Sequence, residues 1–323
     1  MTFPKGTSRH GIAALAIAAT LLGGAGAAEP APAATLRVGY QKYGTLILLK
    51  ARGTLEKRLA AQGVEVRWTE FPAGPQLLEG LNVGSIDFGT VGEAPPIFAQ
   101  AAGANLVYIG NEPPSPAAEA IIVPSGSPIK SVAELKGKRV VLNKGSNVHY
   151  LLVRALEKAG IRYQDIQTVF LPPADARAAF ERGAVDAWAI WDPFLAAAQG
   201  QLGARVLVDG TGIVKNHQFY LAARPYAQAH PEVVKAVMEE LRKIDDWGRS
   251  NPHEVASFLS AQVGLDVSIT DVAARRYSFG ATPITDDVIA EQQRIADVFS
   301  DLKLIPAPII VRDATLPAPT AQR

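Results

Sequence analysis

The run LRVGYQKYGTLILL, Leu36 to Leu49, packs a strand, a polar turn and the start of a helix into one short stretch. Leu36-Arg37-Val38-Gly39 alternates as a strand should, and Leu46 to Ala61 carries Leu49, Leu55 and Leu59 at helical spacing. Between them, Gly39 to Thr45 is polar and punctuated by glycine. The same unit recurs downstream. Strands are predicted at Val64–Trp68, Ile86–Gly89 and Leu106–Ile109, with helices at Pro75–Leu81 and Pro95–Ala102. This alternation predicts a parallel sheet with right-handed crossovers.

The pattern then restarts. Ala120–Val123 is an expected strand, and Ser131–Leu135 a single helical turn. Further strands fall at Arg139–Leu142, Gln167–Leu171, Val185–Ile190 and Val206–Val208. Helices fall at Asn147–Ala159 (closed by Gly160), Asp175–Arg182 and Pro193–Leu202. After an extended Gln218–Ala222 the chain is helical from Pro231: Glu232–Arg249, Pro252–Gln262, Thr270–Ala274 and Asp286–Leu302. Prolines 306, 308, 317 and 319 wind the tail down without structure. Two α/β units followed by helices with no sheet of their own predict a two-lobed molecule. Lobe one spans residues 35–112 plus 215–315, lobe two residues 113–214, and residues 316–323 form a disordered tail. Ligands of open α/β sheets sit beyond the strand C-termini, so function belongs in the cleft between the lobes.

The N-terminus reads differently. Lys5, Arg9 and His10 precede an apolar run from Gly11 to Leu22, followed by small residues with Ala25-Gly26-Ala27 as a cleavage site. Residues 1–28 are therefore a cleaved secretory signal peptide, and residues 29–34 a flexible leader. No cysteine follows the cleavage site to carry a lipid. The 323-residue chain holds 32 Lys+Arg against 31 Asp+Glu and no cysteine at all. Removing Lys5 and Arg9 leaves a mature net charge of −1. That balance excludes a dedicated nucleic-acid binder. The missing thiols exclude zinc–thiolate sites, iron–sulfur clusters and cysteine nucleophiles.

No Gly-x-Ser-x-Gly elbow, His-Glu-x-x-His pair or phosphate loop is present, and His149, His217, His230 and His253 lie too far apart for a local metal motif. Three polar loops stand out instead, each between a strand and a helix: residues 39–45, 90–96 and 143–149. Helix N-termini carry unpaired N–H groups and partial positive charge, so such loops hold anions without a buried cation. Thr45, Ser146 and Asn147 also suit simple capping, and both uses stay open. Trp188-Ala189-Ile190-Trp191-Asp192-Pro193 ends the last strand of the second unit. Alternation sends one tryptophan to the core and Trp191 to the cleft, with Asp192 as a possible cap of the next helix.

The segments GYQKYG, FPAGPQLLEGLNVGSIDFG, GEAPPIFAQAAG, LNKGSNVHYLLVRALEKAG, LPPADARAAFERG and DAWAIWDPFLAAA resemble the periplasmic aliphatic sulfonate-binding proteins of ABC transporters over residues 35–315. The resemblance implies the α/β, two-lobed type II periplasmic binding-protein fold with a central cleft and hinge. It implies a monomer that captures an alkanesulfonate, delivers it to an inner-membrane permease for sulfur acquisition, and needs no cofactor, metal or nucleic acid. It points to Gln41 and Lys42, to Gly92, Glu93 and Ala94, to Ser146, Asn147 and His149, and to Trp191 and Asp192. Glu93 suits an anion site through its backbone N–H, or through a carboxylate that accepts from a ligand amine or from Lys42. The alternative is a receptor for another small oxyanion such as taurine or nitrate. An enzyme on this scaffold is less favoured, because those relatives use a cysteine or a histidine cluster.

Overall fold

The computed structural model describes residue 2 and residues 34–316. The expected signal peptide, the leader before Ala34 and the tail after Leu316 lie outside these residues. In chain order come β1 (Ala34–Tyr40), α1 (Gly44–Arg52), α2 (Thr54–Ala60), β2 (Val64–Glu70), α3 (Gly74–Asn82), β3 (Phe88–Gly92), α4 (Pro95–Ala101) and β4 (Leu106–Asn111). A first crossing leads to β5 (Glu119–Val123), β6 (Arg139–Leu142), α5 (Asn147–Lys158), β7 (Gln167–Phe170), α6 (Pro173–Glu181), β8 (Ala187–Trp191), α7 (Phe194–Leu202) and β9 (Arg205–Asp209). The chain returns as β10 (Gln218–Ala223). It ends through α8 (Arg224–Ala229), α9 (Pro231–Ser250), α10 (Pro252–Val263), α11 (Val267–Arg276), β11 (Thr282–Pro283) and α12 (Asp286–Asp301).

Two sheets organise these elements. The first runs β11-β4-β10-β3-β1-β2 and the second β7-β6-β8-β5-β9; each sheet with its helices is here termed a lobe. The four strands expected to run parallel in the first sheet do so, but β3 and β4 are not neighbours. β10 inserts antiparallel between β3 and β4, pairing Gln218 with Gly92 and Phe219 with both Val91 and Asn111. β5 likewise lies antiparallel between β8 and β9. Both inserted strands directly follow a crossing, so the chain enters each sheet from the cleft side and runs against its neighbours. Helices cover both faces of this sheet, so Phe219, Tyr220 and Leu221 are buried whichever face they take.

Other expectations shift for local reasons. The single helix over residues 46–61 breaks at Gly53, whose left-handed φ of 62° ends α1 and starts α2. β3 starts later than expected and runs on through Thr90–Gly92, because β10 supplies a partner that extends the ladder. The tail is not structureless at first: Val311–Ala314 forms a 3₁₀ turn with Val311 fully buried. Its N–H donates to Gln293 Oε1 at 2.8 Å. α9 presents Val233, Val237, Leu241 and Ile244 at helical spacing toward the core around α1 and α2. Each such buried side chain contributes about 1.5–3 kcal/mol. Among the described residues no helix is long and apolar enough to cross a membrane.

Candidate functional site

The β1–α1 turn, both crossings and the start of α5 converge on one inner cavity. Lys42, Tyr43, Gly44 and Leu48 line it from the first lobe, and Asn147, Trp191, Asp192 and Pro193 from the second. Ser115, Asn216 and Gln218 reach it from the crossings, while Val255, Leu259, Ala274, Tyr277 and Phe279 close it with apolar and aromatic surface. Lys42, Tyr43, Trp191 and Pro193 also line a second chamber of about 420 Å³ at the mouth of the cleft. Gln41, Glu70 and Arg177 add polar and charged surface to that chamber, and Phe71, Phe194 and Val263 add apolar surface.

A chain of hydrogen bonds crosses the inner wall. Gln41 Nε2 donates to Thr90 O at 3.0 Å, and the Tyr43 hydroxyl donates to Gln218 Oε1 at 2.7 Å. Asn147 Nδ2, from the second lobe, donates to Asn216 Oδ1 at 3.0 Å and to Glu119 Oε2. Asn216 Nδ2 donates to Ser115 O at 2.8 Å, tying the two crossings together. Asn216 holds a left-handed φ of 54°. Such a backbone is uncommon outside glycine and tends to mark functional positions.

Neither α1 nor α5 is capped by a side chain, so both helices present N-terminal N–H groups where Gly44 and Asn147 border the cavity. Thr45 does not cap α1. Its hydroxyl turns away and donates to Asp245 Oδ1 at 2.7 Å, lying 3.2 Å from Glu112 Oε1. The Tyr220 hydroxyl and the Gly280 N–H also donate to Glu112. Burial, then the Asp245 charge, pushes the Glu112 carboxyl up to about 8, and burial pushes Asp245 up to about 6. The pair therefore retains a proton beneath α1 at neutral pH.

The sequence-based candidates separate on inspection. Lys42, Asn147, Trp191 and Asp192 border the inner cavity, and Gln41 the mouth. Lys42 is 3.4 Å from Glu70 and half exposed. Trp191 is 6% exposed and stands edge-on to Phe194, whereas Trp188 is core. Asp192 Oδ1 accepts the Ala196 N–H at 2.9 Å, capping α7, and Arg276 lies 3.4 Å away. Burial raises the Asp192 carboxyl to about 6, with Arg276 opposing the rise.

The others lie behind the cavity wall. Gly92 abuts Asn147 so closely that a Cβ there would sit 2.8 Å from the Asn147 Cβ. Glu93 turns toward a separate cavity that it shares with Tyr150, Arg154 and Glu291. Ala94 is fully buried at the head of α4. The Ser146 hydroxyl donates to Asn143 O at 2.7 Å. His149 is wholly buried among Phe98, Tyr163, Phe170 and Phe299. Its Nδ1 accepts the Gly145 N–H at 3.2 Å, so Nε2 carries the proton toward the Tyr163 hydroxyl at 2.7 Å. Desolvation, aided by Lys144, lowers its pKa to about 4.

Val255 and Leu259 of α10, and Tyr277 and Phe279 just after α11, were not signalled by any motif; they lie more than 200 residues away in sequence from the first loop. Asn216 and Gln218 left a fainter trace, being amides beside the apolar run of β10.

Residues 59–255 match the family described as NMT1/THI5 like. The chain is 49% identical to an aliphatic sulfonates-binding protein of Escherichia coli, over 88% of this chain and 89% of that one. It is similar to the alkanesulfonate-binding protein SsuA from Xanthomonas axonopodis pv. citri bound to MOPS. That likeness has a TM-score of 0.85 and 43% identity, covering 90% of this chain and 100% of that one. The periplasmic aliphatic sulphonate binding protein SsuA of Escherichia coli superposes with a TM-score of 0.80 and 46% identity, covering 90% and 94%.

Proposed function

Because the chain belongs to the aliphatic sulfonate-binding proteins of the NMT1/THI5-like family, we propose that it captures alkanesulfonates in the periplasm and delivers them to an ABC permease. The observation that carries this reading is one cavity joining two uncapped helix N-termini to an apolar wall. A sulfonate is a tetrahedral monoanion with three acceptor oxygens and negligible proton affinity. Helix-terminal N–H groups serve such a group well, and they avoid the desolvation cost of a buried bare cation. Gly44 and its successors at α1, with Asn147 at α5, would hold the sulfonate. The alkyl tail would lie along Trp191 into the mouth, where Phe71, Phe194 and Val263 are apolar. The relative seen with MOPS supports the reading, since MOPS is a propanesulfonate bearing a bulky substituent.

Capture proceeds by hinge closure about the two crossings, and release follows when the permease favours the open form. Its role is that of a binding protein rather than an enzyme, as the names of its similar relatives support. Residues 1–28 would direct export. Binding near micromolar strength needs about −8 kcal/mol. A few charge-assisted hydrogen bonds of about 1.5–3 kcal/mol each, with the buried tail and less association costs, suffice. Titration calorimetry in phosphate buffer tests the reading against methane- to octanesulfonate, taurine, sulfate and nitrate. Saturable 1:1 binding of the alkanesulfonates is expected; heat from nitrate or taurine with none from any alkanesulfonate overturns it.

A further inference from the structure

Two buried carboxyls lie on opposite sides of the lobe boundary, behind the cavity wall. Glu93, between β3 and α4 of the first lobe, is 1% exposed, and Glu119, which opens β5 of the second, is fully buried. Glu93 Oε2 accepts the His217 N–H at 3.0 Å, and Glu119 Oε2 accepts Asn147 Nδ2. The remaining oxygen of each has no hydrogen-bond partner. An ionised carboxylate left half-satisfied in a dry interior is costly, whereas a protonated one is neutral. No hydrogen-bonded cation relieves either group. Facing Glu93, Glu291 and Arg294 of α12 lie 4.0 Å from each other, and on α5 Arg154 bonds Glu157 beside the neutral Tyr150. From the second crossing, Lys215 lines the same cavity and His217 Nε2 sits 3.4 Å from Glu291. Glu119 is faced by Trp191 of β8, Asn147 of α5 and Glu93 itself. Burial raises Glu93 to about 8, with Glu291 adding to the rise, and raises Glu119 well above the carboxylate range, with Glu93 adding to it.

We propose that Glu93 and Glu119 are positioning residues for ligand capture, and that closing the lobes over the anion takes up a proton onto this pair. Gly92 meets Asn147 across the lobe boundary, and on this proposal that contact is the seal of the closed form. Opening parts that contact, admits water and lets both carboxyls ionise near their ordinary value of about 4.3. Once sealed and protonated, Glu119 keeps the Asn147 amide in place at the cavity without adding negative charge behind a bound anion. The closed form thus binds more protons than the open one. Affinity is fully present below the open-state value and is lost as pH rises toward about 8. Each proton taken up weakens binding by up to about tenfold per pH unit within that window. Glu112 and Asp245 are a built-in contrast: Thr45, Tyr220, Gly280 and Ala281, which hold them, all belong to the first lobe. Their partners do not cross the lobe boundary, so closure is expected to change their side-chain hydrogen bonds less than those of Glu93 and Glu119.

The inference rests on sulfonate capture, and its test separates the two. The purified protein is titrated with 1-hexanesulfonate at pH 7 in phosphate, imidazole and Tris, none of which is a sulfonate. The slope of observed heat against buffer ionisation heat counts protons. Uptake of about one to two protons per ligand is expected, with Kd rising at least about fivefold from pH 6 to pH 8. In Glu93→Gln/Glu119→Gln both the proton count and the pH slope should fall toward zero. Hexanesulfonate binding by the native protein with no proton exchange and a flat pH profile overturns the proposal, even if the variant fails to fold. Absence of hexanesulfonate binding overturns the capture reading, and this proposal with it.

Discussion

Single residues divide into those that meet the cavity and those that build its support. Trp191 meets it, through an indole wall shared by the inner chamber and the mouth. Losing that wall removes about 1.5–3 kcal/mol of apolar contact from a long tail but little from a one-carbon ligand. Trp191→Ala should therefore raise the Kd for octanesulfonate about tenfold or more and that for methanesulfonate by less than about threefold. Equal losses in calorimetry would remove Trp191 from the tail path. His149 belongs to the support. It is neutral in the folded chain and held at about 4, below the usual histidine value, so folding favours its deprotonated form. Its contribution is fully present above about pH 6.5 and is lost as pH falls toward about 4. Thermal melts should show a drop in Tm across that window, and His149→Gln should flatten it; an unchanged slope would deny His149 this part. The place of Trp191 at the cavity was legible from strand alternation. The burial of His149 was not, because its aromatic neighbours Phe98 and Phe299 come from α4 and α12.

At the scale of elements, the local signals were strong and the pairings weak. Alternating and helical spacing marked most strands and helices, since each pattern is written within one segment. Which strands pair is set by long-range contacts, and no local period records that β10 slips between β3 and β4. The same limit hid the close approach of the β3–α4 junction to α5. Gly92 has room for hydrogen alone because Asn147 fills the space where a methyl group would sit. Gly92→Ala should leave the separate lobes folded, with Tm nearly unchanged, yet hold them apart and raise the alkanesulfonate Kd at least about tenfold. Native affinity in that variant would mean the contact is dispensable for closure. A large fall in Tm without loss of affinity would move Gly92 into the core account instead.

For the whole molecule, a charge near zero fits anion capture by oriented backbone dipoles, with few cations at the cavity. Lys42 stands at the rim beside Glu70, and Arg276 beside Asp192. The two-unit repeat in the sequence foreshadowed two sheets with a cleft between them. It did not reveal that α10 and α11 furnish part of the cavity wall, since Val255, Leu259 and Ala274 read as ordinary apolar helix positions until the chain is folded. Lobe closure over an alkanesulfonate is the central claim, and the cysteine-free chain makes it directly measurable. A dye pair on Val83→Cys and Lys130→Cys, both exposed and one on each lobe, reports the approach of the lobes by energy transfer. The account predicts a saturable change in transfer on adding octanesulfonate, at the same concentrations that saturate calorimetry, and none with nitrate. A transfer signal indifferent to every alkanesulfonate, or one that responds to nitrate alone, would contradict it.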